Sequence, residues 1–346
     1  MPDNFSVCKV MHYKRNERDI GGRKSVILSL IMRRFIKNWA LPISILFGAM
    51  GYLLFAALPF PIVVRHMAAN AITVIQPLLI FTMLFITFCK LDVRDIRLQH
   101  WHVYGLLFQI VLFLLTAWFS SLMPDGWDVV IEGRMLCFVC PTATAAAVVT
   151  GKLGGNAGRV TAYPIMINLS TAFVFSVVIP LLHATADASF ISTFFLICSK
   201  LFPLLILPIE AAMVARHYLH GLTRWFSAHP DLAFNMWIVA LSLAIAITTR
   251  SIMHSHYPIM AQVGIALASA IACISQFFVG RWMGARESDA VTAGQALGQK
   301  NTIVAIWLGY TFLDPITSIA GGFYSIWHNV FNSWQLYQKR KQDERR

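Results

Sequence analysis

Hydrophobic and polar positions alternate along this chain on the scale of a membrane, not of a soluble domain. Stretches of about 20 mostly apolar residues, the length an α-helix needs to cross about 30 Å of hydrocarbon, recur between short polar interruptions. Ten spans can be drawn, over residues 39–60, 68–89, 103–122, 135–150, 157–182, 190–212, 232–249, 260–282, 292–312 and 315–338. Trp39, Trp101, Trp118, Trp225, Trp282, Trp327 and Trp334 fall near span ends, where an interfacial aromatic belt would place them. The pattern predicts an all-α polytopic membrane protein with ten transmembrane helices.

The flanks divide the chain further. Residues 1–38 form a basic tail in which 25–37 (SVILSLIMRRFIK) reads as a helix with one apolar and one basic side, lying at the inner surface. Residues 39–338 make the ten-span domain, and 339–346 form a second basic tail. The first 24 residues contain Lys9, Lys14, Arg15 and Arg18 but no long apolar run, so no cleavable signal peptide is expected and the first span serves as its own signal.

Composition agrees with a lipid solvent: 57% of the 346 residues are hydrophobic and only 13% charged, about half the usual share for a soluble domain. The net charge of +12 would suit nucleic acid, but its placement excludes that reading. Nine Lys/Arg precede the first span, five follow the tenth, and the even-numbered loops with their adjoining span ends hold two or three each (Arg159 and Arg281 lying just inside the spans), whereas the opposite loops hold Arg65, Arg134 and Arg250 alone. The positive-inside rule then predicts a multi-pass protein of the cytoplasmic membrane with both termini cytoplasmic. The six cysteines avoid the external loops, so no disulfide framework is expected.

Two spans depart from the apolar rule, the fourth and the ninth, at the same place in each half of the chain. The fourth contains CPTATAAAVVT (140–150), where Pro141 removes a backbone donor and Thr142 and Thr144 add hydroxyls; the ninth begins TAGQALGQKNT (292–302), with Gln299, Lys300 and Asn301. Polar, Gly/Pro-interrupted segments in matching positions of two halves point to a transporter site at the bilayer midplane. Because five spans is an odd number, the second half is inverted relative to the first. Helix packing through small and hydroxyl residues is the plainer reading, and for the fourth span it competes evenly. A lysine inside the ninth is harder to explain that way.

At these segments the chain resembles the bile acid:sodium symporter family. QPLLIFTMLFITF (76–88) is similar to that family's second-span signature, CPTATAAAVVT to its broken fourth helix, and LGQKNTIVAI (297–306) to its broken ninth. The resemblance implies a panel of spans 1, 2, 6 and 7, a core of spans 3–5 and 8–10, broken helices 4 and 9 crossing in that core, and alternating-access transport of organic anions such as bile acids or small carboxylates. It also implies two sodium ions beside the crossing, and here this chain departs. The family's Ser-Asn pair falls on Ala146 and Ala147, its fifth-span hydroxyls near Val160 and Pro164, its ninth-span glutamate on Ala296 and its glutamine on Lys300. Gln109, Gly298 and Asn301 survive from its polar set.

Composition argues in the same direction: Glu210 is the one acid clearly within the ten spans, and a membrane cation site usually needs a carboxylate among converging oxygens. Sodium coupling is therefore doubtful. A fixed Lys300 ammonium could stand in for a bound cation, balancing helix C-terminal dipoles and an anionic substrate, in a facilitator or a proton-linked carrier. The alternative is a lysine that caps carbonyls or reaches water. The expected substrate contacts are Thr142, Thr144, Gln299, Lys300, Asn301 and Gln109. The rival functions are a sodium-coupled symporter and a non-transporting membrane receptor or accessory protein of the same fold.

Other motifs carry less. Cys137 and Cys140 have redox or metal spacing but sit in an apolar helix without further ligands, and packing is the better reading. His100, His102, His254 and His256 read as interfacial. Lys200 and Glu210, ten residues and about 15 Å apart along one helix, do not pair with each other. Hydrolase, kinase and metalloprotease signatures are missing, so neither an enzyme nor a cofactor is expected.

Overall fold

The computed structural model describes residues 39–90, 98–124, 126–183, 189–229 and 231–345. The interfacial helix expected over 25–37 lies outside the described residues. In chain order the helices are α1 (Trp39–Ala57), α2 (Ile62–Cys89), α3 (His100–Ser120), α4 (Asp128–Val139), α5 (Ala146–Lys152), α6 (Ala157–Leu182) and α7 (Phe190–Leu205). There follow α8 (Leu207–Tyr218), α9 (His220–Ala228), α10 (Asp231–Met253), α11 (Ile259–Ala285), α12 (Ala290–Gly298), α13 (Thr302–Phe312), a 3-10 turn (Pro315–Ser318) and α14 (Ile319–Asp343). Among the described residues there is no β-strand.

Seven helices among the described residues are long and apolar enough to cross a membrane: α1, α2, α3, α6, the α7–α8 pair, α10 and α11. This is a multi-pass α-helical membrane protein. Its surface has the character of a lipid-facing one, as α11 shows: Val263, Leu267, Ile271, Ile274 and Phe278 form an exposed stripe at helical spacing, while Ser269, Ala272, Gln276 and Gly280 on the other side are buried. Small residues let backbones meet inside: a Cβ on Gly280 would fall 2.6 Å from the Ala293 carbonyl oxygen, so α12 lies almost directly on α11.

The fourth and ninth expected spans are each two short helices joined by extended chain. α4 ends before Cys140, where Pro141 has no N–H to continue it, and α5 resumes at Ala146. α12 stops at Gly298, and α13 resumes at Thr302. α14, the tenth, is long enough to span but carries Ser325, His328, Asn332 and Gln335 on one buried face. The sixth is interrupted at Ile206, three residues after Pro203.

The fourth segment also starts earlier than its hydropathy suggests. Arg134, assigned from sequence to a loop, and Glu132 both belong to α4. Hydropathy missed this turn because two charges within three residues outweigh buried neighbours such as Val129 and Val130. The structure accommodates both: Glu132, buried, takes a 2.9 Å contact from Nε2 of His183 at the end of α6, and the Arg134 guanidinium lies 5.7 Å from the centre of the Phe138 ring.

That contact makes stability depend on pH. Its hydrogen bond to Glu132 is the main reason the His183 imidazole is held above its ordinary range, against the opposing effect of burial. A raised folded-state pKa contributes stability that is full below the unfolded value of about 6.5 and lost as pH rises through the folded value. The gap in unfolding midpoint between native protein and His183→Gln should therefore be widest at acid pH and close at alkaline pH. A gap independent of pH would contradict the pairing.

At the end of the bundle that carries the C-terminus, Asp289 ties three helices together. Its Oδ2 accepts from Trp101 Nε1 at 3.1 Å and from Arg159 at 3.2 Å, and His102 Nε2 sits 2.9 Å from the Arg159 carbonyl oxygen. His102, expected at the interface, is in fact fully buried. Its polar atoms are matched inside the protein instead of by water.

Candidate functional site

The two interrupted segments cross. The Ala143 N–H donates to the Gln299 carbonyl at 2.9 Å, and the Asn301 N–H donates to the Pro141 carbonyl at 2.8 Å. Thr142 and Lys300 thereby face each other in an isolated antiparallel bridge. Broken helices need such partners, because the last carbonyls of a helix have no intrahelical donor and hydrocarbon supplies none.

A residue-by-residue account of those carbonyls explains the polar side chains. At the end of α4, Cys137 O accepts from Gln276 Nε2 at 3.1 Å, and Val139 O from Thr171 Oγ1 at 2.6 Å. Phe138 O and Cys140 O accept from Lys300 Nζ at 3.3 and 2.9 Å. At the end of α12, Ala296 O accepts from Thr142 Oγ1 at 2.6 Å and Gly298 O from the Tyr324 hydroxyl at 2.8 Å. Leu297 O takes a long 3.5 Å contact from Gln109 Nε2. Each break is thus closed chiefly by side chains of other helices.

Lys300 is 1% exposed. Its ammonium sits at the C-terminal end of α4, where aligned peptide dipoles place about half a negative charge. No carboxylate lies within ion-pair distance of it among the described residues. Of the two roles expected of Lys300, this arrangement is the carbonyl-capping one, with Nζ donating to Phe138 O and Cys140 O.

The other expected contacts divide. Thr142, Gln299, Lys300 and Asn301 are together at the crossing and buried. Asn301 also accepts, through its backbone carbonyl, from the buried Cys140 Sγ at 2.9 Å. Gln109 sits beside the crossing in a chain the sequence did not reveal: Tyr163 donates to Gln109 at 2.7 Å, Gln109 to Gln276 at 2.8 Å, and Gln276 to Tyr324 at 3.1 Å. Thr144 is only half-buried and, together with Thr142, lines a crevice of about 30 Å³ with Thr87 and Phe88 of α2 and Thr161 and Pro164 of α6.

A second polar chain leaves the crossing along α14. Gln299 donates to Gln295, Gln295 to Asn332 at 3.2 Å and to Gln335 at 3.3 Å, and Arg281 to Gln335 at 3.1 Å. Ser325 Oγ, His328 Nδ1 and Gln335 Nε2 on this face are buried without a hydrogen-bond partner among the described residues. The 3–4 spacing of polar residues from 325 to 335 was the available signal for this face. Gln276, Tyr163 and Tyr324 gave less, since one amide and two tyrosines in apolar spans look like packing residues.

The residues present do not fit the sodium ions that the family resemblance implies. Ala146, Ala147 and Ala296 offer no side-chain oxygen, and Phe138 O, Cys140 O, Pro141 O and Ala296 O already have donors. Among the described residues no group of three or more His, Cys, Asp or Glu could hold a metal ion. Lys200, in α7, stacks 5.7 Å from the Phe312 ring centre, and Glu210 is exposed in the first turn of α8.

Comparison with known proteins finds no matching family model and no matching curated protein.

Proposed function

We propose that this protein is a secondary transporter of a small organic anion, built as a ten-span inverted repeat of the bile acid:sodium symporter type and working without sodium. The observation that carries the reading is the crossing of two broken helices with a lysine ammonium at its centre. In the proposed architecture α4–α5 and α12–α13 are the fourth and ninth spans and α14 the tenth, with both termini on the cytoplasmic side of the cytoplasmic membrane.

Lys300 supplies a positive charge that needs no ion gradient. In the conformation described it is held by the Phe138 and Cys140 carbonyls. Rocking of the core against the panel would open the narrow crevice at Thr144 and bring an anion within reach of Lys300, Gln299 and Asn301, close to the N-terminus of α13. The ammonium can then exchange its carbonyl contacts for the substrate carboxylate.

Uptake of radiolabelled benzoate and other small carboxylates into liposomes holding the purified protein tests this. Equal uptake in sodium and choline media is the expected result, and acceleration by an inward proton gradient would mark a proton-linked carrier rather than a facilitator. Strict dependence on sodium would overturn the role given to Lys300. Absence of uptake for every anion would leave a receptor of the same fold.

A further inference from the structure

A cavity of about 260 Å³ lies away from the crossing, at the end of the bundle opposite the C-terminus. It is enclosed by the end of α10, the chain leading into α11, the end of α13 and the 3-10 turn. The α13 helix has 11 residues and so is about 16 Å long. One end meets the Lys300 crossing and the other meets this cavity, a separation of about half a bilayer core.

Its lining has the chemistry of an anion receptor. Arg250, His254 and His256 bring nitrogen donors, Ser251, Ser255 and Tyr310 bring hydroxyls, and Pro315 and Ile316 bring an apolar wall. The Arg250 guanidinium is exposed and positioned by one hydrogen bond, to the Tyr310 hydroxyl at 3.1 Å. No carboxylate lies within ion-pair distance of it among the described residues.

The cavity does contain one acid, Asp314, but its carboxylate is committed elsewhere. Oδ1 caps the 3-10 turn through the Ile316 N–H at 3.0 Å, and Oδ2 accepts from the Tyr257 hydroxyl at 3.1 Å. Burial, helped by that carboxylate, pushes the Tyr257 phenol up to about 12, so it stays a donor to Asp314 at neutral pH. The cavity thus holds one carboxylate, Asp314, engaged by its own two donors, and one guanidinium, Arg250, whose N–H groups are not engaged by it.

We infer that this cavity is a receiving site for a small carboxylate, separate from the crossing and centred on Arg250. The inference rests on the transport reading only for its place on a route, since binding itself needs no transport. Its volume falls just below the roughly 300–1,000 Å³ of pockets for drug-sized ligands. It suits a compact aromatic or branched carboxylate, seated with its apolar body on Pro315 and Ile316, and is small for a steroid. A planar guanidinium binds a carboxylate through two parallel N–H groups.

The test is equilibrium binding of benzoate to detergent-purified full-length protein, followed by titration calorimetry in a chloride-free buffer. Native protein should bind; Arg250→Gln should bind roughly tenfold more weakly, the scale of one charge-assisted hydrogen bond; and Arg250→Lys should lie between them. Arg65→Gln, which removes the same charge near the same end, where Arg65 reaches the Leu58 carbonyl, should bind as native protein does. The inference is overturned if native protein does not bind benzoate, if Arg250→Gln matches it, if Arg250→Lys is no better than Arg250→Gln, or if Arg65→Gln weakens binding equally. Benzoate binding through Arg250 without uptake into liposomes would keep this inference and sink the transport reading, and uptake without Arg250-dependent binding would do the reverse.

Discussion

Lys300→Met should reduce anion uptake to the level of protein-free liposomes while the protein still folds. Two opposing effects set the stability change. The substitution leaves the Phe138 and Cys140 carbonyls without a donor, at a cost of about 1–3 kcal/mol each. It also removes a buried ammonium whose desolvation costs several kcal/mol in a protein interior, and the methionine side chain nearly fills the same space. These effects are of similar size, so the unfolding midpoint should move little. A lysine that only caps carbonyls predicts the same small change in midpoint, but with uptake per folded molecule unchanged. Full uptake by Lys300→Met would remove the tethered cation from the mechanism.

Gly298→Ala should lower the unfolding midpoint and abolish uptake together. A Cβ at this position would overlap the Phe277 ring, which is fully buried and packs 4.4 Å, centre to centre, from Phe331. Overpacking of this kind costs about 1–3 kcal/mol, sometimes more, and here it acts at the residue whose carbonyl takes the Tyr324 hydroxyl, next to the bridge with Thr142. Shortening the neighbour should restore part of the loss, so Gly298→Ala combined with Phe277→Leu is expected to be more stable than Gly298→Ala alone. Gly51→Ala is the matched control, because a Cβ there meets nothing within 4 Å. Native-like stability of Gly298→Ala would mean that the end of α12 does not pack against α11 as described.

Both predictions concern residues that stand out in the sequence, because a lysine and a run of amides in an otherwise apolar span are costly wherever they point. The breaks were legible for the same reason: Pro141 cannot donate, and Gly298 with its polar successors does not continue an apolar helix. What those residues touch was not legible. Lys300 and Phe138 are 162 positions apart, and nothing local in either segment records that the carbonyls of one are answered by the amine of the other. Thr144 shows the same limit, since nothing in its motif records that the crevice it lines is shared with α2 and α6.

Charge was the least reliable local guide. Glu132 and Arg134 ended the fourth span in the hydropathy profile, although their helix continues through both, because His183 and the Phe138 ring accommodate them from elsewhere in the bundle. The cavity around Arg250 shows a related limit. His254 and His256 read as interfacial histidines and are exposed, but only the folding of α10, α13 and the 3-10 turn into one cavity brings Tyr310 to Arg250 beside them.

The sequence by itself determined that this is a multi-pass helical membrane protein and that its fourth and ninth segments are interrupted, since both follow from transferring each segment into hydrocarbon without reference to any other. The tertiary structure decided which carbonyls Lys300 serves, which amides join Gln109, and where an open cavity remains. Those are matters of facing and long-range pairing, and an apolar helix with nearly uniform sides does not encode its facing in its own hydropathy.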